Sequence, residues 1–265
     1  MMTGLHYHKL ALVIALAAMN SALARGQSQP GALARLQSSD HSERRSGFYS
    51  LLSSVDSSGS SLSYRARNER LAAFARQQPA VGRGLIGLLE RENAEPAAQV
   101  SEDRYIGDLI AAVAALRDPN AVHALAGAIN TGRLATEGLA ILGDAAVPAV
   151  LTEAERLDYP TRVSALLTLS EMVTITPAPT ISNENRGQIR SILLRALDDS
   201  NRFAREAGLD GLVAFPDTVV RRAVARVAAQ DPLVLHDGGK LRYPVRERAL
   251  TTLGKLDALW PRARS

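Results

Sequence analysis

The sequence predicts an all-α fold, an α-solenoid of about five to six antiparallel helix pairs, and three observations predict it. The first is a long-range repeat. Tyr159, Pro160, Arg162, Ala165, Leu166, Thr168 and Leu169 recur as Tyr243, Pro244, Arg246, Ala249, Leu250, Thr252 and Leu253, at an offset of 84 residues. Midway between them, Arg205, Gly208, Leu209 and Leu212 carry the same Arg-x-x-small-Leu-x-x-Leu core, so the offset is two periods of about 42 residues. The second is a pair of shorter units. Ala112, Val113 and Leu116 precede Asp118, and Gly138, Leu139 and Leu142 precede Asp144, so that in each an Asp is placed to start a second helix. The third is helical spacing of apolar residues, as in Ile189, Ile192, Leu193 and Ala196 or Val220, Ala223, Val224 and Val227.

Taken in order, residues 1–24 read as a signal peptide. Lys9 precedes an apolar run from Leu10 to Met19, and Ala22-Leu23-Ala24 supplies the small-x-small pattern for cleavage after Ala24. The run is too short to span a bilayer, which takes about 20 residues, and no integral membrane segment is expected after cleavage. Residues 25–42 are expected to be a flexible, polar leader. Residues 43–104 show helical spacing at Arg45 to Val55, Asn68 to Gln77 and Val81 to Glu92, read as diverged first repeats or a cap. The serine-rich stretch from Ser53 to Ser63 is expected as a loop.

The repeat array proper is expected over 105–258. Pro119, directly after Asp118, sits where a missing amide proton costs nothing. Ala165, Gly208 and Ala249 are small enough to admit a neighbouring helix. One helix pair leaves its apolar face open, so neighbours must stack. Two insertions interrupt the array. Thr174 to Asn185 is expected as a loop between the helices of one pair. Pro232 to Pro244, with Gly238 and Gly239 at its centre, reads either as a small hairpin or as an irregular connection. Residues 259–265 form a C-terminal tail.

Composition narrows the chemistry. There is no cysteine, which excludes a disulfide scaffold, thiol catalysis and thiolate metal sites. The net charge is +4, carried by 28 Arg and only 3 Lys. Guanidinium suits carboxylate and phosphate recognition, whereas a GC-rich coding sequence would favour Arg and Ala together without any such role. Both readings stay open.

The stretches Leu116 to Leu125 and Leu142 to Val150 resemble the turn and second helix of the HEAT-repeat family, in particular its short bacterial members related to the phycobilin lyases. The resemblance covers about Tyr105 to Leu256. It implies a HEAT-like superhelix and says little about function, because such frames serve many tasks. Enzymes built on them fit poorly. The deoxyhypusine hydroxylases bind iron through His-Glu pairs, and this chain has no His-Glu step. The HEAT-like DNA glycosylases need aromatic and acidic residues in a basic cleft, whereas Trp260 is the sole Trp.

Histidines are few. His6 and His8 leave with the signal peptide, His41 lies in the polar leader, His123 is expected on an exposed helix edge, and His236 beside Asp237 has no further ligands nearby. No catalytic residue, cofactor or metal site is assigned, and the chain is not expected to be an enzyme. The candidate surface is made of arginines. Arg190 and Arg195 on one second helix, with Arg221, Arg222 and Arg226 on the next, are expected to approach one another on the concave side. The alternative is an ordinary solvated face neutralised in part by Asp198, Asp199 and Asp217. Arg162, Arg205 and Arg246, recurring at one repeat position, are expected to pair with an acid or carbonyl of the adjacent unit. The expected function is an exported scaffold, periplasmic or extracellular, holding a protein or peptide partner. The alternative is recognition of an anionic polymer by the arginine surface, and the third reading is an uncharacterised enzyme on the same frame; nucleic acid is not expected as a partner after export.

Overall fold

The computed structural model describes residues 29–55, 63–95, 104–175 and 180–259. They divide into two compact units, one ending at Leu116 and the other beginning at Arg117. The signal-peptide segment, residues 56–62 of the serine-rich loop and residues 260–265 lie outside the described residues.

The first unit contains α1 (Gln29–Leu36), α2 (His41–Val55), α3 (Tyr64–Gln77), α4 (Pro79–Ala94) and α5 (Arg104–Leu116). The segment expected as a flexible leader is therefore folded for most of its length. Ala32 and Leu36, one helical turn apart, are buried and form a short apolar stripe that packs on α2 and α4. Gly47 of α2 makes the approach possible, since a Cβ there would stand 2.8 Å from Arg35 Cβ and 3.0 Å from the Ala32 carbonyl. α2 then starts at an Asp. Asp40 Oδ1 accepts from the Glu43 amide at 3.0 Å. The expected start of the array at Tyr105 also moves. α5 covers α3 and α4 with Tyr105, Leu109, Ala112, Val113 and Leu116, and so belongs with the first unit.

The second unit holds α6 (Val122–Gly127), α7 (Arg133–Leu142), α8 (Val147–Ala154), α9 (Tyr159–Thr174), α10 (Asn183–Ala196), α11 (Arg202–Leu212), α12 (Thr218–Gln230) and α13 (Pro244–Leu259). Short 3-10 turns at Pro119–Ala121 and Gly143–Ala146 precede α6 and α8. By length and composition, Arg133–Ala154 would suffice to cross a membrane. It is instead two helices separated at Gly143, whose φ of 59° breaks the run, and half of it is buried in the repeat stack.

Stacked helix pairs form two layers. α7, α9, α11 and α13 pack side by side in one, and α8, α10 and α12 form the other. Small residues set the spacing, as expected. A Cβ on Gly208 would lie 2.8 Å from the Leu193 carbonyl, and one on Gly211 only 2.6 Å from Ser170 Oγ. Hydroxyls stitch the first layer, with Ser170 Oγ donating to the Ala207 carbonyl at 2.6 Å and Thr252 Oγ1 to the Leu209 carbonyl at 3.4 Å.

The starts of the helices follow the expected chemistry with one exception. Asp118 accepts from the Asn120 amide, Asp158 from Thr161, Asn201 from Phe203 and Asp217 from both Val219 and Val220. Asp144 does not cap α8. Its Oδ1 accepts from Ser182 N (2.9 Å), Ser182 Oγ (3.0 Å) and Asn185 Nδ2 (2.6 Å), so it pins the entry into α10. The Ser182 amide, followed by the Asn185 side chain, holds its carboxyl below the usual carboxylate range. The insertion before α13 is a hairpin, β1 (Leu235–Asp237) with β2 (Lys240–Arg242), turned by Gly238 and Gly239 at positive φ.

Candidate functional site

The candidate surface is built on the layer of α8, α10 and α12, whose helices stand apart and leave two successive grooves. The first, between α8 and α10, is lined by Leu151, Glu155, Ile192 and Arg195 and continues past Arg162, Leu166 and Asp199. The second, of about 570 Å³, is lined by Asp198, Asp199, Arg205, Arg226, Gln230 and Asp231.

An arginine near the start of a first-layer helix organises the floor of each groove. Arg162 Nη1 donates to the carbonyls of Arg156 (3.0 Å) and Leu157 (3.2 Å), and its guanidinium lies 3.0 Å from Asp199. Arg205 does the same one repeat on. Its Nη1 donates to the carbonyls of Asp199 (2.8 Å) and Ser200 (3.0 Å), and its Nε to Asp231 Oδ2 at 2.7 Å. In both, the carbonyls lie six and five residues back in sequence. The guanidinium therefore closes its own helix's entry turn and reaches an acid of the adjacent unit. Arg246 repeats the theme with different atoms. Its Nε donates to the Asp231 carbonyl at 2.6 Å, and its guanidinium covers the Tyr243 ring at 4.7 Å. The structural role expected for these three arginines holds.

Above the floor, exposed ion pairs bridge the rims. Arg195 of α10 meets Glu155, just after α8, at 3.0 Å. Arg226 of α12 meets Asp198, just after α10, at 2.8 Å. The two bridges are repeat-equivalent, an acid closing one second-layer helix and an arginine on the next. Hydrogen bonding to Asp198 raises the pKa of Arg226 above its ordinary value.

The remaining sequence candidates take other partners. Arg190 grips the carboxylate of Asp217 through Nε and Nη2, at 2.8 and 3.0 Å. Burial raises the Asp217 carboxyl, but Arg190 and the capped amides outweigh it and hold it below the usual carboxylate range. Arg221 turns toward α13 and Asp257 at 2.8 Å. Arg222 is exposed and forms no ion pair among the described residues. The five arginines thus do not converge into one open cationic field. Carboxylates of neighbouring helices neutralise four of them, and Arg221 faces a different neighbour from Arg226.

Sequence reasoning missed a second centre, in the first unit. Arg44, fully buried, is another copy of the floor arginine: Nη1 donates to the carbonyls of Ser38 (3.3 Å) and Ser39 (3.0 Å), again six and five residues back. Nε donates to Glu92 Oε1 at 2.7 Å and Nη2 to Glu95 Oε2 at 2.6 Å. His41 Nδ1 lies 3.1 Å from Glu92 Oε2 and its ring meets Tyr105 edge-on at 5.5 Å. The Asp40 cap three residues ahead of Glu43, as Asp158 precedes Thr161, is the signal that could have found it. His123 and His236, by contrast, are exposed.

No protein-family model matches the chain, and no curated protein matches it. Among solved structures, an archaeal HEAT-like repeats protein from Thermococcus onnurineus NA1 aligns at 12% identity with a TM-score of 0.50, covering 91% of this chain and 92% of its own. A designed armadillo repeat protein in complex with the peptide (KR)4 aligns at 12% identity and TM-score 0.48, over 86% of this chain and 98% of its own. A second designed armadillo repeat protein aligns at 15% identity and TM-score 0.44, over 86% and 99% respectively. Identities this low speak to fold alone. With two layers of stacked helix pairs and an arginine-closed turn recurring from pair to pair, this chain has the fold of the HEAT-type helical repeat proteins.

Proposed function

We propose that this chain is an exported scaffold that binds a protein or peptide segment across α8, α10 and α12, and that it does so without catalysis. The observation that carries this reading is the repetition of one groove plan. Each groove has a largely buried Arg–Asp floor and a solvent-exposed Arg–carboxylate rim. The floor pairs, Arg162–Asp199 and Arg205–Asp231, are integral to the stack. The rim pairs are different in kind. Exposed ion pairs contribute about 0–1 kcal/mol, so a partner's own charged groups can replace them at little cost. An extended segment lying across both grooves would find arginine and carboxylate alternating from helix to helix, with Leu151 and Ile192 between them.

This plan favours a peptide of mixed charge over an anionic polymer, because the arginines that such a polymer would need are already neutralised. Export rests on the amino-terminal pattern of Lys9, the Leu10 to Met19 run and Ala22-Leu23-Ala24, and places the protein in the periplasm or outside the cell.

The test is selection of peptides from a random displayed library on the chain from Arg25 onward. Affinities of the selected peptides are then measured for the parent and for the Arg195→Glu, Arg226→Glu variant. Enriched peptides of mixed charge that lose affinity for the variant are the expected result. Absence of enrichment, or equal affinity for both forms, would remove the reading. Fusion of residues 1–30 to a reporter active only after export tests the localisation separately.

A further inference from the structure

We propose that His41, Glu92 and Glu95 form a binding site for a divalent first-row metal ion of the zinc class. One nitrogen and one oxygen from each carboxylate, three ligand atoms in all, lie within 4.8 Å of one another. Zinc takes imidazole nitrogen and carboxylate oxygen at about 2.0–2.2 Å, so a contraction of the cluster by about an ångström would close it around an ion. Three protein ligands leave further positions for water or a partner group.

The division of labour among the carboxylate oxygens makes this more than a group of charges. Glu92 Oε1 is committed to the protein, accepting from Arg44 Nε at 2.7 Å and from the Tyr105 hydroxyl at 3.1 Å. Its other oxygen, Oε2, meets His41 Nδ1 at 3.1 Å. Glu95 repeats the arrangement. Oε2 accepts from Arg44 Nη2 at 2.6 Å, and Oε1 carries no bond among the described residues. Each carboxylate therefore has one oxygen fixed by Arg44, and the second oxygen of Glu92 meets the imidazole.

Around them stands the kind of supporting shell that orients metal ligands. Arg44 fixes both carboxylates and is itself held by the Ser38 and Ser39 carbonyls. Tyr105 fixes Glu92 through its hydroxyl and His41 through its ring. Glu92 is buried, while His41 and Glu95 are part-exposed, with side chains 25% and 32% accessible, which gives an ion a way in. Charge sets the direction. Glu92 and Glu95 share a single ion-paired guanidinium, that of Arg44, while Arg91 binds the Ser38 carbonyl beside it, so the two carboxylates carry one negative charge more than the arginine that pairs with them. Arg44 also opposes a bound cation, so the affinity expected is moderate, in the micromolar range and not the range of a closed structural zinc site.

The experiment is calorimetric titration of the metal-depleted full chain with ZnCl2 at neutral pH, with Co2+ as an optical probe of the same site. Uptake of one ion per chain is expected, with visible cobalt absorption showing nitrogen–oxygen coordination. His41→Ala and Glu95→Gln should each weaken binding about tenfold or more. The His6→Ala, His8→Ala double variant and the single His123→Ala and His236→Ala variants should bind as the parent does. Part-exposure of His41 and Glu95 makes their substitutions compatible with folding, and circular dichroism checks it independently for each. Absence of saturable uptake, or uptake of unchanged affinity in a folded His41→Ala or Glu95→Gln protein, would overturn the assignment and leave a purely structural ion-pair cluster.

Discussion

The two units use the same device, an arginine closing a helix entry turn, in opposite ways. In the second unit Arg162 and Arg205 each meet one aspartate contributed by the adjacent repeat, and Asp231 links Arg205, the Arg246 side chain and the Leu233 amide in one node. The contact recurs because the repeat recurs. Among the described residues of the first unit Arg44 has no repeat-equivalent arginine, and it is wholly buried and held by two glutamates from the last turn of α4 and its exit. A repeated arginine spreads a modest interaction along a stack, whereas a single one concentrates it.

That contrast predicts an ordering of stabilities. Arg44→Ala strips the countercharge from buried Glu92 and should cost about 3–5 kcal/mol, the range for breaking a buried pair by removing one partner. Arg205→Ala, which strips the guanidinium from one carboxylate and not from two, should cost less, about 2–3 kcal/mol. Arg162→Ala, whose pair with Asp199 is part-exposed, should cost about 1 kcal/mol. Urea unfolding of the three variants measures the series. A loss for Arg162→Ala equal to that for Arg44→Ala would break the comparison.

Helix approach gives a second, smaller contrast. An alanine methyl at Gly208 would meet a backbone carbonyl of α10, Leu193 O, at 2.8 Å. At Gly47 it would meet a side-chain carbon, Arg35 Cβ, at the same distance, and the Ala32 carbonyl at 3.0 Å. Overpacking of this sort costs about 1–3 kcal/mol. Gly208→Ala should fall at the upper end, because α10 is held on both sides within the stack. Gly47→Ala should fall at the lower end, because α1 is only eight residues long and packs chiefly on α2, so that it can shift outward. Thermal unfolding of both resolves the order, and proteolysis near α1 should quicken only for Gly47→Ala.

Legibility in the sequence follows the same division. The second unit could be read because its determinants are local and repeated: Arg162, Arg205 and Arg246 share one context, and the buried faces of Ile189, Ile192, Leu193 and Ala196 keep a helical period. The hairpin was legible from Gly238 and Gly239, although its context allowed an irregular connection too. The first unit was read poorly at α1. Ala32 and Leu36 mark its buried face, but Pro30 and Gly31 weaken the helical signal, and two buried positions are too few to distinguish a docked helix from a polar leader. The His41 centre was hidden because its partners, Glu92 and Glu95, lie about fifty residues away with no repeat to relate them. Asp144 was misread for a kindred reason, since its ligands come from the entry to α10. Arginine pairing across the grooves was invisible as well, being a matter of which helix ends fall opposite one another.

The smallest effects test whether the charges of the second unit act singly or as a field. Asp217 and Glu171 both belong to it, and their carboxyls are shifted in opposite directions. That of Asp217 is lowered: burial opposes its charge, but Arg190 and the Val220 and Val219 amides prevail. That of Glu171 is raised, foremost by burial, with Glu137 adding to it and Arg133 opposing. A lowered carboxyl contributes stability that is present above its unfolded value, about 3.9 for Asp, and lost as pH falls through the folded one. Asp217→Asn should therefore destabilise at pH 7 and become neutral in acid. Asp217 is well exposed and Asn retains a capping oxygen, so solvent screening and the surviving cap leave about 0.5 kcal/mol or less. A raised carboxyl acts in reverse, its ionisation costing stability as pH climbs from the unfolded value, about 4.3 for Glu, through the folded one. Glu171→Gln should accordingly be more stable than the parent at pH 7 and equal to it below pH 4, by a similarly small margin. Unfolding free energies of both variants across pH 3–7 should give two curves of opposite slope. Parallel curves would mean that the net charge of the unit, and not the individual partners of each carboxyl, governs its response to acid.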